Sequence, residues 1–528
     1  MDRSSNPIVT THADRSRQAQ QRQHLIGRRG LMKLAAGAGV ATIGVAGRGL
    51  ILPWFDFGRA AAAAELAEPD VRAGRDGLLD TTLTCRVQSV QVAGQTAIMN
   101  VYEGSAPGPT LRVRPGDTLR VNLVNMLDDL PPGLPDNSPF LCPPMIMGGV
   151  EEGKMCDTNL HVHGLHVSPS DNSDNIFLRV PAGESFQYEY KIPENHPAGL
   201  YWYHPHLHGR ATVQVFGGLA GMLIVEGDID ALPGIAGIPE RLLMLHSTQL
   251  YPDGSVVNFL DVPPGPNMQK TNLRMVNGQL NPTMTMRPGE TQRWRILNAT
   301  ANLTFFLQLD GHQLHQIAKD GSTHNEMWTR DKIVLSPGER VEVLVQAGTA
   351  GSYALRTLPI ATGFNTQKDA TLATLVVDGN PMTPEPLPTT LLPLEDLSTA
   401  EIDERRQITF QFGPPIDPPH TIHPIDHKVF DGTRDDQVVQ LNTTEEWVIR
   451  NATTTWHPFH IHINPYQVVA INGKPVPVRS NEDTTLVPPF GEITVRTRFL
   501  DFPGRWVYHC HILLHEDLGM MGTVKALA

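Results

Sequence analysis

The sequence predicts an all-β protein built as three consecutive β-sandwich domains. Three observations predict it. The chain has 528 residues, room for three domains at about 100–200 residues each. A strand–turn–strand pattern occurs three times along it. Short alternating stretches broken by Gly and Pro dominate, and no long stretch keeps a helical period.

The repeats can be taken in order. Leu111–Val121 contains Arg114-Pro115-Gly116-Asp117 and leads into Asn125; Met284–Trp294 contains Arg287-Pro288-Gly289-Glu290 and leads into Asn298. A weaker copy, Val439–Trp447, leads into Asn451. Each reads as strand, tight turn, strand, with residues alternating inward and outward. A second set starts at Gly199, Gly351 and Gly504, 152 and 153 residues apart, each time a turn glycine before an aromatic-bearing strand. That period is too long for a solenoid and suits homologous sandwiches. Copies one and three end in His204 and His509, whereas copy two has Arg356 there. The outer domains therefore read as chemically active and the middle one as structural.

Composition narrows the function. Hydrophobic residues make up 40% and charged residues 18%, enough for packed cores. The net charge of -13 argues against a nucleic-acid partner, which would need clustered Lys and Arg. Residues 1–67 stand apart from the fold. A polar stretch precedes Arg28-Arg29, followed by the modestly apolar run Leu34–Ala46 and the tract Ala60–Ala64. A twin arginine before such a run resembles a bacterial Tat export signal. Arg48 interrupts the run short of the roughly 18 apolar residues of a membrane span. The expectation is a periplasmic or extracellular protein, cleaved between Ala60 and Ala67, with no stable membrane span.

Of the four cysteines, Cys142 and Cys156 could close a loop in an oxidising compartment, which spacing alone does not establish. Cys85 has no evident partner. Cys510 lies between two histidines and belongs to a different pattern.

That pattern comprises four motifs: His161-Val162-His163-Gly164, His204-Pro205-His206, His457-Pro458-Phe459-His460-Ile461-His462, and His509-Cys510-His511. Strand residues two apart share a face, so each pair can aim two imidazoles into one cavity. A single such pair is more often structural than ligating; four, one enclosing a cysteine, point to metal. Downstream lie His515 and Met520. A thiolate, two imidazoles and a distant thioether form the blue-copper donor set, and His457 is the natural upstream histidine. Zinc would favour a closed site without methionine.

The four motifs, complete and in this order, resemble those of the multicopper oxidases, in the group of laccases, bilirubin oxidases and bacterial cuprous oxidases. The resemblance spans nearly all of the chain after the signal. It implies three cupredoxin-like Greek-key β-sandwich domains, placed here at 75–230, 240–380 and 400–528. It also implies four copper ions. Type 1 copper would sit on His457, Cys510 and His515 with Met520 axial, and type 2 on His161 and His460. The type 3 pair would take His163, His204 and His509 on one ion, and His206, His462 and His511 on the other. His208, His166 and His196 are read as neighbours of the cluster, and Met521 as packing.

The implied chemistry is one-electron oxidation of a small-molecule or metal-ion donor at type 1 copper, with His457 or His515 as the entry edge. Dioxygen, the other partner, is reduced by four electrons to water at the trinuclear cluster. Protons would come through Glu516 and through Asp174, preferred over Asp171; a solvated loop acid or a structural hydrogen bond is the competing reading. Laccase-like oxidation of phenols or aromatic amines is the default, and cuprous ion the alternative donor. Met145, Met147 and Met155 suit soft-metal binding and packing equally. A copper-binding scaffold without turnover and a two-domain nitrite reductase are rival classes, and the complete ligand set and the three repeats argue against them. A monomer is expected.

Overall fold

The computed structural model describes residues 64–528 apart from 133, 135–137, 139, 148–149, 258, 260–270, 364–365 and 418–419. Of the expected export signal and linker, 1–67, residues 1–63 lie outside the described residues, while 64–67 do not stand apart from the fold: the Leu66 amide donates to the Thr283 carbonyl and its side chain joins the middle core.

Three pairs of β-sheets follow one another along the chain, all on one plan. In the first, Thr110–Val113 runs parallel to Gly221–Val225, which pairs antiparallel with Gly199–His204, and that strand with His161–His163. The facing sheet holds Gln95–Tyr102, Leu78–Val92, Thr118–Met126 and Ser185–Lys191. The middle pair repeats the order with Thr283–Met286, Ala370–Val377, Gly351–Thr357 and Phe305–Leu309. The last repeats it with Gln437–Gln440, Met521–Leu527, Gly504–Cys510 and His457–Ile461.

Each sandwich closes over its own core. Thr118–Met126 and Glu492–Phe499 alternate strictly between half-buried and buried positions, as strands with one wet face must. Gly199–His204 and Gly221–Val225 are buried at every position. Their second face is covered by the middle sandwich: Leu200, Trp202, Met222 and Ile224 share a cluster with Leu242, Met244 and Leu297. The strand that carries His204 is thus clamped on both sides.

The asparagine that closes each repeat explains why the motif recurs. Asn125 donates to the carbonyls of Cys156 and Val180 while its side-chain oxygen accepts from the Leu127 amide. Asn298 makes the same three bonds with Leu303, Leu335 and Thr300, and Asn451 with Thr455, Val487 and Thr453. All three are buried. Each amide stitches the end of one strand to the loop and strand beside it, satisfying backbone groups that would otherwise be orphaned.

Strand register brings the histidines together. His204 pairs with His161 in the first sandwich and His509 with His460 in the third. At the same position of the middle sandwich Arg356 pairs with Gln308. Arg356 lies at the surface, ion-paired with Asp369. Cys142 and Cys156 form a disulfide, and Cys85 is free and buried. The helices among the described residues are short, Ala211–Phe216 and Leu513–Asp517 being the two α-helices. Asp517 accepts from the amides of Gly209 and Thr212, tying the second helix to the start of the first. No helix there is long and apolar enough to cross a membrane.

Candidate metal centre

Cys510 closes the strand Gly504–Cys510, opposite Phe459 on the strand His457–Ile461. His515 sits in the short helix that follows. The thiol Sγ lies 3.3 Å from Nδ1 of His457 and 3.6 Å from Nδ1 of His515, and the two nitrogens are 3.2 Å apart. The centre of such a triangle is roughly 2 Å from each corner, a metal–imidazole bond length. Met520 is fully buried, and its backbone bonds to both Cys510 and His515. Nε2 of His457 is held by the hydroxyls of Thr453 and Thr455, at 2.8 and 3.1 Å, which turns Nδ1 towards the thiol. Two imidazoles and a thiol in a trigonal array suit copper.

Eight further histidines meet between the first and third sandwiches, four from each. Nε2 of His206 lies 3.1 Å from Nε2 of both His462 and His509, and the last two are 3.3 Å apart. Nδ1 of His163 lies 3.2 Å from Nε2 of His511. His163 also groups with His161 and His204. Nε2 of His161, His204 and His460 is buried without a hydrogen-bond partner.

Second partners fix the tautomers. Nδ1–H donates to Asp174 in His161 (2.9 Å), to the Pro205 carbonyl in His204 (2.9 Å) and to the Asp483 carbonyl in His460 (2.8 Å). In His163 it is Nε2 that donates, to Asp483 Oδ1 at 3.1 Å, so that Nδ1 faces the cavity. Bare lone pairs therefore converge on one buried space, an arrangement a cation stabilises. Burial, aided by the neighbouring rings, holds His161, His163, His204, His462, His509 and His511 well below the usual imidazole range, and His206 at about 4. The rings stay neutral, as ligands must. The donor sets fit copper ions. Among the described residues none of the clustered sets draws on the middle sandwich.

Three multicopper oxidase family models match residues 153–229, 246–380 and 393–527. This chain belongs to the multicopper oxidase family. Relatives include a multicopper oxidase of Staphylococcus aureus, 24% identical over 433 residues, which span 80% of this chain and 83% of that one. A laccase of Bacillus stratosphericus is 26% identical, over 80% of this chain and 89% of its own. Among solved structures, a multicopper oxidase of Campylobacter jejuni described as a metallo-oxidase matches with TM-score 0.71 and 26% identity, over 88% of this chain and 94% of that one. A laccase-like multicopper oxidase of Ochrobactrum matches with TM-score 0.69 and 25% identity, over 88% and 100%.

The structure corrects one expectation for this multicopper oxidase. His509 groups with His206 and His462, whereas His511 faces His163, so the geometry places these two histidines the other way round from the expected grouping. His509 and His511 stand two apart and share a face, so periodicity does not tell them apart. Which of the two meets which ion depends on how the strand lies between the domains, and spacing does not record that.

Of the acids, Asp174 is buried against His161 and also accepts from the Val162 amide, and Asp171 is exposed. Burial pushes the Asp174 carboxyl up to about 8. Glu516 is buried behind two ligands of one set, 3.1 Å from Nδ1 of His509 and 3.4 Å from Nδ1 of His206, and burial pushes it up to about 7. His166 joins Ile463 and Asp501, His196 accepts from the His166 amide, and His208 packs on Phe430; none is in a clustered set. Met521 packs with Ile176 and Val507. Met145 and Met155 are half-buried, and the side chain of Met147 is outside the described residues.

Asp483 escaped the sequence reading. It lies 23 residues from His460, with no motif linking the two. Only the pairing of His460 with Thr484 brings it to the cluster. Burial pushes its carboxyl up, but the Arg340 guanidinium overcomes this and holds it well below the usual range.

Proposed function

We propose that this chain oxidises donors one electron at a time and reduces dioxygen by four electrons to two waters. One observation carries the reading. Cys510 belongs to one donor set, while its two covalent neighbours, His509 and His511, belong to the two halves of another. When bound, copper at the Cys510 set supplies one-electron acceptance, and copper in the eight-histidine cavity (one type 2 and two type 3 ions) supplies dioxygen binding and reduction. The chain supplies two short covalent routes from the thiolate, one to each half of the cavity. It also supplies acids placed to move the four protons the reaction consumes: Glu516 behind His206 and His509, and Asp174 behind His161.

Electrons enter on the His515 side: both rings are buried, but His515 keeps 5% of its surface accessible whereas His457 keeps 0% and has its far nitrogen on Thr453. Phenols and aromatic amines are the first donor class. Cuprous ion is the second: beside His515 the His423 ring, an imidazole of the kind that suits copper, stacks at 4.4 Å, and Phe412 lies edge-on. The likeness to a structure described as a metallo-oxidase supports the same alternative. Export through the Arg28-Arg29 signal is part of the proposal, and the Cys142–Cys156 disulfide suits an oxidising compartment.

Copper-loaded protein is expected to show an intense visible charge-transfer band that Cys510→Ser abolishes. Oxygen uptake with a phenol, cuprous ion and ferrous ion in parallel identifies the donor. A colourless, fully metallated protein overturns the type 1 assignment, and no uptake with any donor overturns the oxidase reading.

A further inference from the structure

The middle sandwich carries no ligand in the clustered sets, yet its strand Arg340–Gln346 begins with a side chain that reaches them. Arg340 is fully buried. Its two terminal nitrogens grip both oxygens of Asp483, at 2.7 and 2.6 Å. Its Nε donates to the Leu200 carbonyl, on the strand that ends in His204. Asp320, also of the middle sandwich, accepts from the amides of Arg340, Asp483 and Thr484. One guanidinium thus joins all three sandwiches at the rim of the cluster.

Asp483 is the working end of this arrangement. Its Oδ1 accepts from Nε2 of His163, and its backbone carbonyl accepts from Nδ1 of His460. The first bond turns Nδ1 of His163 into the cavity, and the second frees Nε2 of His460. The first bond needs the carboxylate held in this orientation, and the second needs the backbone of the same residue held in place, with Oδ1 3.5 Å from the same His460 nitrogen. A buried carboxylate needs a buried partner to stay ionised. A planar fork fixes its orientation as well, which a lysine point charge does not. The space is closed around this pair: a Cβ on Gly164, in the left-handed region at φ +87°, would collide with Arg340 and come within 2.6 Å of Asp483 Oδ2. That accounts for the glycine after His161-Val162-His163.

We propose that Arg340 is a positioning residue for the oxygen-reducing cluster, acting through Asp483 on His163 and His460. The middle domain is then part of the metal centre rather than a spacer. The inference rests on the oxidase reading above.

The Cys510 set receives nothing from Arg340, so it reports separately on folding. Copper-loaded R340M and D483N are expected to keep the blue band at wild-type intensity per protein. They are expected to lose or shift the type 2 electron paramagnetic resonance signal and to hold less copper per chain. R340K, with charge but no fork, is expected to retain a type 2 signal with altered hyperfine splitting. Wild-type copper content and an unchanged type 2 signal in R340M and D483N overturn the proposal. Should R340M fail to fold, an unchanged type 2 signal in R340K overturns it as well. A wild-type protein with no type 2 signal overturns the oxidase reading instead, so the two failures are distinct.

Discussion

Glu516 is in no clustered donor set among the described residues, yet it sits behind two members of one, His206 and His509. Glu516→Gln keeps the shape and removes the proton. Oxygen consumption is expected to fall on the order of 10²-fold with the blue band and copper content unchanged. Because burial lifts this carboxyl to about 7, its acid form is present below that value and lost as pH rises through it. The decline of the wild-type rate above neutrality should therefore be missing from the glutamine variant's pH profile. Burial likewise pushes the Cys510 thiol up, so the metal must displace a proton to bind. Copper uptake is expected to release acid and to weaken as pH falls, which titration of unbuffered protein measures. At this scale the ligands were legible because strand periodicity turns a His-x-His spacing into shared direction. Asp483 and the exchange of His509 with His511 were not, because both depend on which strands become neighbours.

The repeated asparagine shows what a recurring turn is for. Asn451 joins the carbonyls of Thr455 and Val487 and orients Thr453, whose hydroxyl holds His457. Asn451→Ala removes the donor from the Val487 carbonyl, while the Thr455 carbonyl keeps the Thr453 hydroxyl at 3.2 Å, a loss of about 1–3 kcal/mol. Thermal unfolding should register that loss. A shift of the visible band should accompany it, since His457 loses its fixed tautomer. Asn298→Ala is expected to cost a similar amount and leave the band alone. The repeat of sheet order was readable from the 152- and 153-residue spacing, because matched turns and aromatic strands recur only when the same sandwich is built again. The clamp on Gly199–His204 was not readable, since an all-buried strand differs from a half-buried one only through what a distant domain lays against it.

Across the molecule the copper-free protein should carry the mark of its neutral histidines. Burial depresses at least seven cluster rings, together with His457 and His515. A depressed imidazole contributes stability above about pH 6.5 that is lost as pH falls through its folded value. Asp174, Glu516 and Asp517, raised to about 8, 7 and 7, work in the opposite sense: their contribution is present at low pH and lost as pH rises through those values. Histidines outnumber the acids, so denaturant midpoints should climb from about pH 4 towards 6.5 and then decline gently towards 8. Copper should raise the whole curve. The cluster also has a consequence for how the protein comes into being. His163 and His511, facing each other at 3.2 Å, stand 348 residues apart in the chain. A metal held by both would close a loop that contains the entire middle sandwich, the kind of long loop where a clip restrains an unfolded chain most. While synthesis is still short of His511 the eight histidines are incomplete, so metal capture waits until both outer sandwiches have their ligands.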